Sequence, residues 1–343
     1  MATTTLLTDA DLIERAATVG RQIAPDASRH DVEGTFVEEG LRCLREAGLL
    51  ALAVPTELGG MGATIRQVTL VQRELAHHCG STALATSMHQ HVVAFTAWRF
   101  RRGMPGAEGT LRRVADEGLL LVSTGGGDFT HPRGEATKVD GGYRVSGRKQ
   151  FASQSSFGDV LSTMFVYEDP EQGRRVLNMA VPVRADGVTV LDNWDTLGMR
   201  GTASNDVVLE DVFVPEDKVL ANRPYGVVDP PLQVVGSIAM PIISGVYLGV
   251  AEAAFAAAVA VLGVGRRWKS ERNLSMKTPL GALTVRGAGD RVAALERCLA
   301  EVKSTLHCER VVLVPQGETA PDAPGGAVEA AGLWVSIEPA PAG

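Results

Sequence analysis

The sequence predicts an α+β fold of three blocks in series: helical, then β, then helical. Two switches in periodicity carry this. Apolar residues recur at helical spacing up to about Glu117, change near Leu119 to short alternating runs separated by turn pairs, and return to a long helical stretch after Pro231. The order shows no strand–helix–strand alternation, which argues against a doubly wound dinucleotide fold.

The elements follow in order. Leu12, Ile13, Ala16, Ala17 and Val19 mark an amphipathic helix from Asp9 to about Gln22, and Val37, Leu41 and Leu44 mark a second from Phe36 to Ala47. Gly48 suits the end of the second helix. Val54 to Gly62 reads as a loop before a helix over Ile65 to His78, and Ser81 is placed to cap the next, which runs to about Phe100. A short helix is expected near Ala107 to Glu117. Strands are expected at Leu119–Ser123, Gly142–Val145, Val160–Val166, Val176–Val181 and Val188–Leu191, with Asp140-Gly-Gly142 and Asp186-Gly187 as turns. Val207 to Val214 is a further apolar, β-branched run that Pro215 ends by removing a backbone donor. Helix then covers Pro231 to about Leu262, with a second candidate from about Arg286 to Arg310.

Composition narrows the function classes. The 343 residues, 45 % of them hydrophobic, are enough to bury a sizeable core. A net charge of −7 gives no footprint for nucleic acid. Cys43, Cys79, Cys298 and Cys308 lack CxxC spacing and the seven histidines include no HExxH, so neither zinc nor a disulfide framework is indicated. The Thr-rich Met1–Asp9 segment lacks the basic and apolar regions of a secretory signal, so a cytoplasmic location is expected. The stretch Ile238–Gly265 is long enough to span a bilayer, but Pro241 and Glu252 lie within it and a buried core helix is expected instead.

Several motifs carry nothing. Gly59, Gly60 and Gly62, like Gly125, Gly126 and Gly127, do not complete GxGxxG, and Arg148 stands where a phosphate-binding loop needs lysine. Packing or surface roles are expected for His77, His78, His89 and His91, which lie in predicted helices with no partner motif. Two segments remain, Val122 to Asp128 and Gly147 to Gln154. A flavin ring needs an apolar or aromatic wall and short donors at its N5 and pyrimidine edge. Phe151 and Ser153, two apart on an expected strand, would share one face. By spacing alone an ordinary hairpin is the favoured reading of them.

Three blocks in order add a resemblance. Trp194 to Pro215, containing Leu197-Gly-Met-Arg-Gly-Thr202, resembles the LGxRxSxT...VxVP block of acyl-CoA dehydrogenases. Pro55 to Gly62 followed by Arg73-Glu-Leu-Ala76 is similar to their PxxxGGxG...EELA segment, and Gly147 to Ser153 to their GxKxWIT segment. The resemblance spans roughly residues 10–310. It implies an N-terminal helical domain (1–118), a middle β-barrel-like domain (119–225), a C-terminal helical bundle (226–312) that is incomplete, and a Pro/Ala/Gly-rich tail (313–343) expected to be disordered.

It also implies FAD, held between the last two domains of a homodimer or homotetramer. Phe151 takes the place of the family's tryptophan beside the flavin, Ser153 that of the threonine near N5, and Thr124 that of the threonine on the first flavin strand. Arg266, or its neighbour Arg267, takes that of the basic residue that reaches the FAD phosphates. The family's catalytic glutamate has no counterpart: Ala239 stands at one of its positions, Glu252 falls too far along the helix, and no matching pattern follows Arg310. The catalytic residue is therefore left open. The implied activity is α,β-dehydrogenation of an acyl-CoA, passing electrons to an acceptor. Two alternatives stay beside it: a flavin-dependent monooxygenase fed with reduced flavin, which dispenses with the glutamate, and a non-catalytic flavin- or acyl-CoA-binding remnant.

Overall fold

The computed structural model describes residues 7–124, 128–262, 273–278, 281–286, 308–315, 328–330 and 333–339. They divide into two units, Met1–Ala253 and Ala254–Gly343. The first opens with α1 (Asp9–Glu33), α2 (Glu38–Glu46), α3 (Ile65–Ala76), α4 (Gly80–Phe100) and α5 (Ala107–Glu117). Thr8 and Thr64 close capping boxes with Asp11 and Gln67, which explains where α1 and α3 begin. α1 runs past the expected Gln22, through Pro25, until Gly34 ends it in the left-handed conformation. α4 is capped by the Cys79 sulfur, which accepts from the Thr82 backbone N–H, rather than by Ser81.

α4 is the centre of the helical block. Thirteen of its 21 residues are buried and its apolar residues lie on every side, as befits a helix packed all round. His89 clamps it in place. Its Nε2 donates to the Leu50 carbonyl at 2.9 Å and its Nδ1 accepts from the Leu121 backbone N–H at 3.0 Å, so both ring nitrogens are satisfied in the neutral form. The Leu121 bond reaches the first strand, so the ring joins the helical block to the sheet.

The sheet has eight strands: β1 (Leu121–Ser123), β2 (Glu135–Val139), β3 (Gly142–Lys149), β4 (Val160–Asp169), β5 (Gly173–Pro182), β6 (Val188–Val190), β7 (Val207–Pro215) and β8 (Val219–Pro224). Their order is β6-β7-β3-β2-β4-β5-β8, with β1 also on β4. Both β1 and β2 run parallel to β4. β1 pairs with Val160–Ser162 and β2 with Val166–Tyr167. Between them, Thr163, Met164 and Phe165 pair with no strand on that side among the described residues, and residues 128–134 lead into β2. The inward positions, among them Val145, Phe165, Leu177, Met179 and Val212, form a core of their own.

β2 and β8 were not expected from sequence. Glu135-Ala-Thr-Lys-Val139 buries only Ala136, so it lacks a second apolar residue in alternation, and β8 buries only Arg223. The strand at β3 runs to Lys149, four residues past Val145, because Gly147 lets two backbones meet. A Cβ there would stand 2.7 Å from the Gly134 Cα.

α6 (Pro230–Leu262) follows β8 as expected. Ile238, Ile242 and Val246 join the helical core of the first unit, while Met240, Tyr247 and Leu248 are exposed. By length and apolarity alone Pro230–Ala257 would suit a membrane span, and the buried stripe is the mark of a core helix. In the second unit β9 (Asn273–Thr278) pairs with β10 (Gly281–Arg286), and β11 (Cys308–Pro315), β12 (Val328–Ala330) and β13 (Leu333–Pro339) form an antiparallel sheet. The helix expected over Arg286–Arg310 has both ends in strands, and 287–307 lie outside the described residues. The apolar alternation of Leu333-Trp-Val-Ser-Ile337 likewise makes strand in the tail read from sequence as disordered.

Burial pushes the imidazoles of His89 and His91 down to about 4. An unfolded imidazole takes up its proton near 6.5 and the folded ones only near 4, so stability is full above pH 6.5 and declines as pH falls through that window. Between pH 7 and pH 5 the loss is expected to be about 2 kcal/mol per imidazole. Urea unfolding at the two pH values checks this, and His89→Gln, which keeps a donor for Leu50, should remove about half of the sensitivity.

Candidate active site

A small cavity lies between the buried face of α4, the end of β1, the interior of β4 and β5, and the first turns of α6. His91, Phe95, Ser123, Thr124, Phe129, Ser162, Met164, Asn178 and Val235 line it. Thr124, singled out from sequence, is there, and its hydroxyl donates to Thr163 at 3.1 Å. His91 was expected to be packing only. It is buried, but it also faces this cavity, and only contact detail separates it from His89 two residues away. Its Nδ1 lies 3.3 Å from the Ser87 carbonyl, which can only accept, so Nδ1 carries the proton. That leaves a lone pair on Nε2, with the ring uncharged down to a pH of about 4. No lining residue is ionised.

The turn after β3 forms a second element. β3 stops at Lys149, so the strand alternation that would put Phe151 and Ser153 on one face does not extend to them. Phe151 is 62 % exposed while Ser153 is buried. Ser153 shares a 2.8 Å hydrogen bond with Ser204, which shares one of 2.7 Å with Thr202. The backbones interlock too: Ala152 N–H donates to Asn205 and Gln154 N–H to Thr202. Gln154 also donates through Nε2 to Leu121 of β1 at 3.1 Å.

These two facing turns hold strain. Phe151 and Gln154 on one, Met199 and Ala203 on the other, all have positive φ without being glycine. Each such residue costs of order 1 kcal/mol and persists only where surroundings impose it. The strain holds a phenyl ring out towards solvent, with the half-buried Trp194 ring edge-on at 6.0 Å and 85°. Beneath it, Ser155 Oγ and Gln154 Oε1 are buried without a protein partner. An aromatic ring held outward, a second beside it and a row of short hydroxyls fit a planar, hydrogen-bonding ring system such as a flavin.

Glu252 is engaged elsewhere. It pairs with Arg73, whose Nε donates at 2.7 Å, and with His77 Nε2 at 2.8 Å, and the Arg73 guanidinium holds its carboxyl below the usual range. It does not line the cavity, and Ala239 is buried in the core. Arg266 and Arg267 lie outside the described residues.

Two family domains match this chain: acyl-CoA dehydrogenase, N-terminal domain, over residues 14–101, and acyl-CoA dehydrogenase, middle domain, over residues 123–212. The chain belongs to the acyl-CoA dehydrogenase superfamily. Its relatives include nitrososynthases, monooxygenases and acyl-CoA dehydrogenases. It is 33 % identical over 258 residues to the amino sugar nitrososynthase DnmZ of Streptomyces peucetius, covering 71 % of this chain and 60 % of that protein. It is 31 % identical over 257 residues to a dibenzothiophene monooxygenase of Mycolicibacterium goodii, covering 71 % of this chain and 60 % of the relative. KijD3, whose solved structure holds FMN and a dTDP-amino-keto sugar, superposes with a TM-score of 0.70 at 28 % identity, over 89 % of this chain and 71 % of KijD3. The chain thus spans about three fifths of the length of the sequence relatives it matches.

Phe151→Gly relieves one strained residue at an exposed site, so its urea midpoint is expected to be unchanged or higher, by about 0.5 kcal/mol. A fall of more than about 1 kcal/mol would show that the ring supports the fold rather than a ligand.

Proposed function

We propose that this chain is the flavin-binding part of a flavin-dependent monooxygenase on the acyl-CoA dehydrogenase fold. The observation that carries the reading is the cavity itself, which presents a neutral histidine and hydroxyl groups and, among the described residues, no carboxylate. α,β-Dehydrogenation of a thioester needs a base to take the α-proton. Here Glu252 is bound to Arg73 and His77, and Ala239 has no base to offer. The nitrososynthase and monooxygenase relatives agree with the same reading.

Phe151, with Trp194 beside it, would provide the aromatic wall for the isoalloxazine, and Thr124 and Ser153 would provide hydroxyls along its edge. FMN is favoured over FAD by the FMN in KijD3. A bound reduced flavin supplies the two electrons by which one atom of O₂ enters the substrate while the other leaves as water. The chain's own residues bind and orient the substrate. Phe95, Phe129 and Val235 exclude water from the cavity, Asn178 and Ser162 offer hydrogen bonds, and His91 Nε2 can hold a proton released by the substrate heteroatom. An uncharged lining suits a neutral molecule with an apolar body and a nitrogen or sulfur to be oxidised, since a buried ionic group would find no partner there. The reduced flavin would come from a separate reductase, and a homo-oligomeric, cytoplasmic enzyme remains the expectation.

The test is anaerobic loading of the purified protein with FMN or FAD, followed by two arms. The monooxygenase reading expects oxygen uptake and product from reduced FMN plus a panel of neutral amines, thioethers and heteroaromatics, with no bleaching of oxidised flavin by acyl-CoAs. Bleaching by an acyl-CoA would restore the dehydrogenase, and failure to retain either flavin would favour a remnant. His91→Phe is expected to lower product formation by about 100-fold, the range of a lost general base, with FMN affinity changed less than about twofold.

A further inference from the structure

The largest fully buried side chain is an ionised one, Lys149, the last residue of β3. Its ammonium has three donors and three acceptors: Asp128 Oδ2 at 2.7 Å and the carbonyls of Arg133 and Met164. The Phe165 ring lies 4.5 Å away. Two of these acceptors belong to residues 128–134, just ahead of β2, and the third to β4, at the stretch that among the described residues is unpaired between its β1 and β2 partners. Asp128 completes the arrangement by accepting from the Arg133 backbone N–H at 3.2 Å. Burial pulls the Lys149 ammonium below its ordinary range while Asp128 opposes that pull.

The groups held in this way belong to the cavity. Met164 lines it with its side chain while its carbonyl meets Lys149, and Phe129, next to Asp128, lines it as well. From the other side the buried Arg223 donates to the Phe129 carbonyl and reaches the Met164 sulfur at 3.3 Å. Thr130 is fixed through its carbonyl to the Gly226 N–H. Residues 128–134 are therefore not a free loop over the cavity but a wall held by two buried cations.

We infer that Lys149 is a positioning residue for the substrate: through Asp128, Arg133 and Met164 it fills the gap in the sheet and fixes Phe129 and Met164 as the wall of the cavity. It touches neither flavin nor substrate. This rests on the monooxygenase reading for the identity of the ligand, but the anchoring itself does not.

The experiment compares wild type with Lys149→Met, Asp128→Asn and the double variant Lys149→Met/Asp128→Leu. Removing one partner of a buried pair destabilises, whereas replacing both by apolar side chains often restores stability. The double variant is thus the informative protein, because it recovers the fold while leaving the Arg133 and Met164 carbonyls without their donor. Indole, a neutral heteroaromatic, is the probe, titrated into the FMN-loaded protein, and hydrogen exchange is followed over residues 128–134. The expected result is an indole Kd raised at least about tenfold in the double variant with the FMN Kd within about twofold, and faster exchange confined to 128–134. Asp128→Asn, which keeps an acceptor for only one of the two donors and removes the charge opposite Lys149, should weaken indole binding in the same direction as the double variant. A double variant that recovers thermal stability, indole binding and exchange together would overturn the inference and leave the pair a packing element. If wild type binds neither FMN nor indole, the monooxygenase reading fails, and the exchange arm alone decides whether Lys149 anchors the wall.

Discussion

The arrangement turns on an interruption in one strand. β4 is paired along its whole length with β5, but on its other side, among the described residues, it meets β1, then no strand for three residues, then β2. A buried carbonyl left open at such a break costs about as much as a lost hydrogen bond, so the break survives only with a substitute donor. Lys149 is that donor. Its position at the end of β3, next to the Gly134–Gly147 approach, brings it within reach of Met164 and both ends of the 128–134 segment. Because the sheet is open there, a cavity can reach from α4 to β5, and because the opening is plugged by a fixed cation, the cavity has a definite wall.

The two histidines of α4 show how position within one helix separates support from chemistry. Both are buried and neutral near physiological pH. His89 spends both nitrogens on backbone groups, tying the helix to the segment at Leu50 and to the first strand. His91, turned two residues further round the helix, spends one and offers the other to the cavity. The same residue type thus acts as a clamp in one place and leaves a ring nitrogen free of backbone partners in the other, and what differs is which backbone groups surround it.

The strained turns and the cavity answer different needs. Phe151 is held outward by backbone conformations that side chains rarely adopt, on a turn interlocked with residues 202–205 and tied to β1 by Gln154. The contacts around these turns hold that strain in place. The cavity lining brings together hydroxyls, a neutral imidazole and apolar groups and, among the described residues, holds no carboxylate; a fold hosts many chemistries, so function has to be argued from such a site rather than from the superfamily.

Periodicity and capping determined the helical block, the position of α6 and the apolar strands, because these depend on neighbours in the chain. The quoted motifs determined the superfamily, and Thr124 was recognised before its cavity was seen. Tertiary structure decided the rest. β2 and β8 each bury a single residue, so no local pattern announces them, and their pairing with β3, β4 and β5 makes them strands. Phe151 and Ser153 were legible as residues of interest but not in orientation, since the left-handed turn that parts them is imposed by contacts more than forty residues away. His91 carried no local signal, and Lys149, though it stands at the lysine of the GxKxWIT match, gave no sign of the contacts it makes. A histidine in a helix and a lysine ending a strand are ordinary until distant backbone groups converge on them, and that convergence is a property of the folded chain alone.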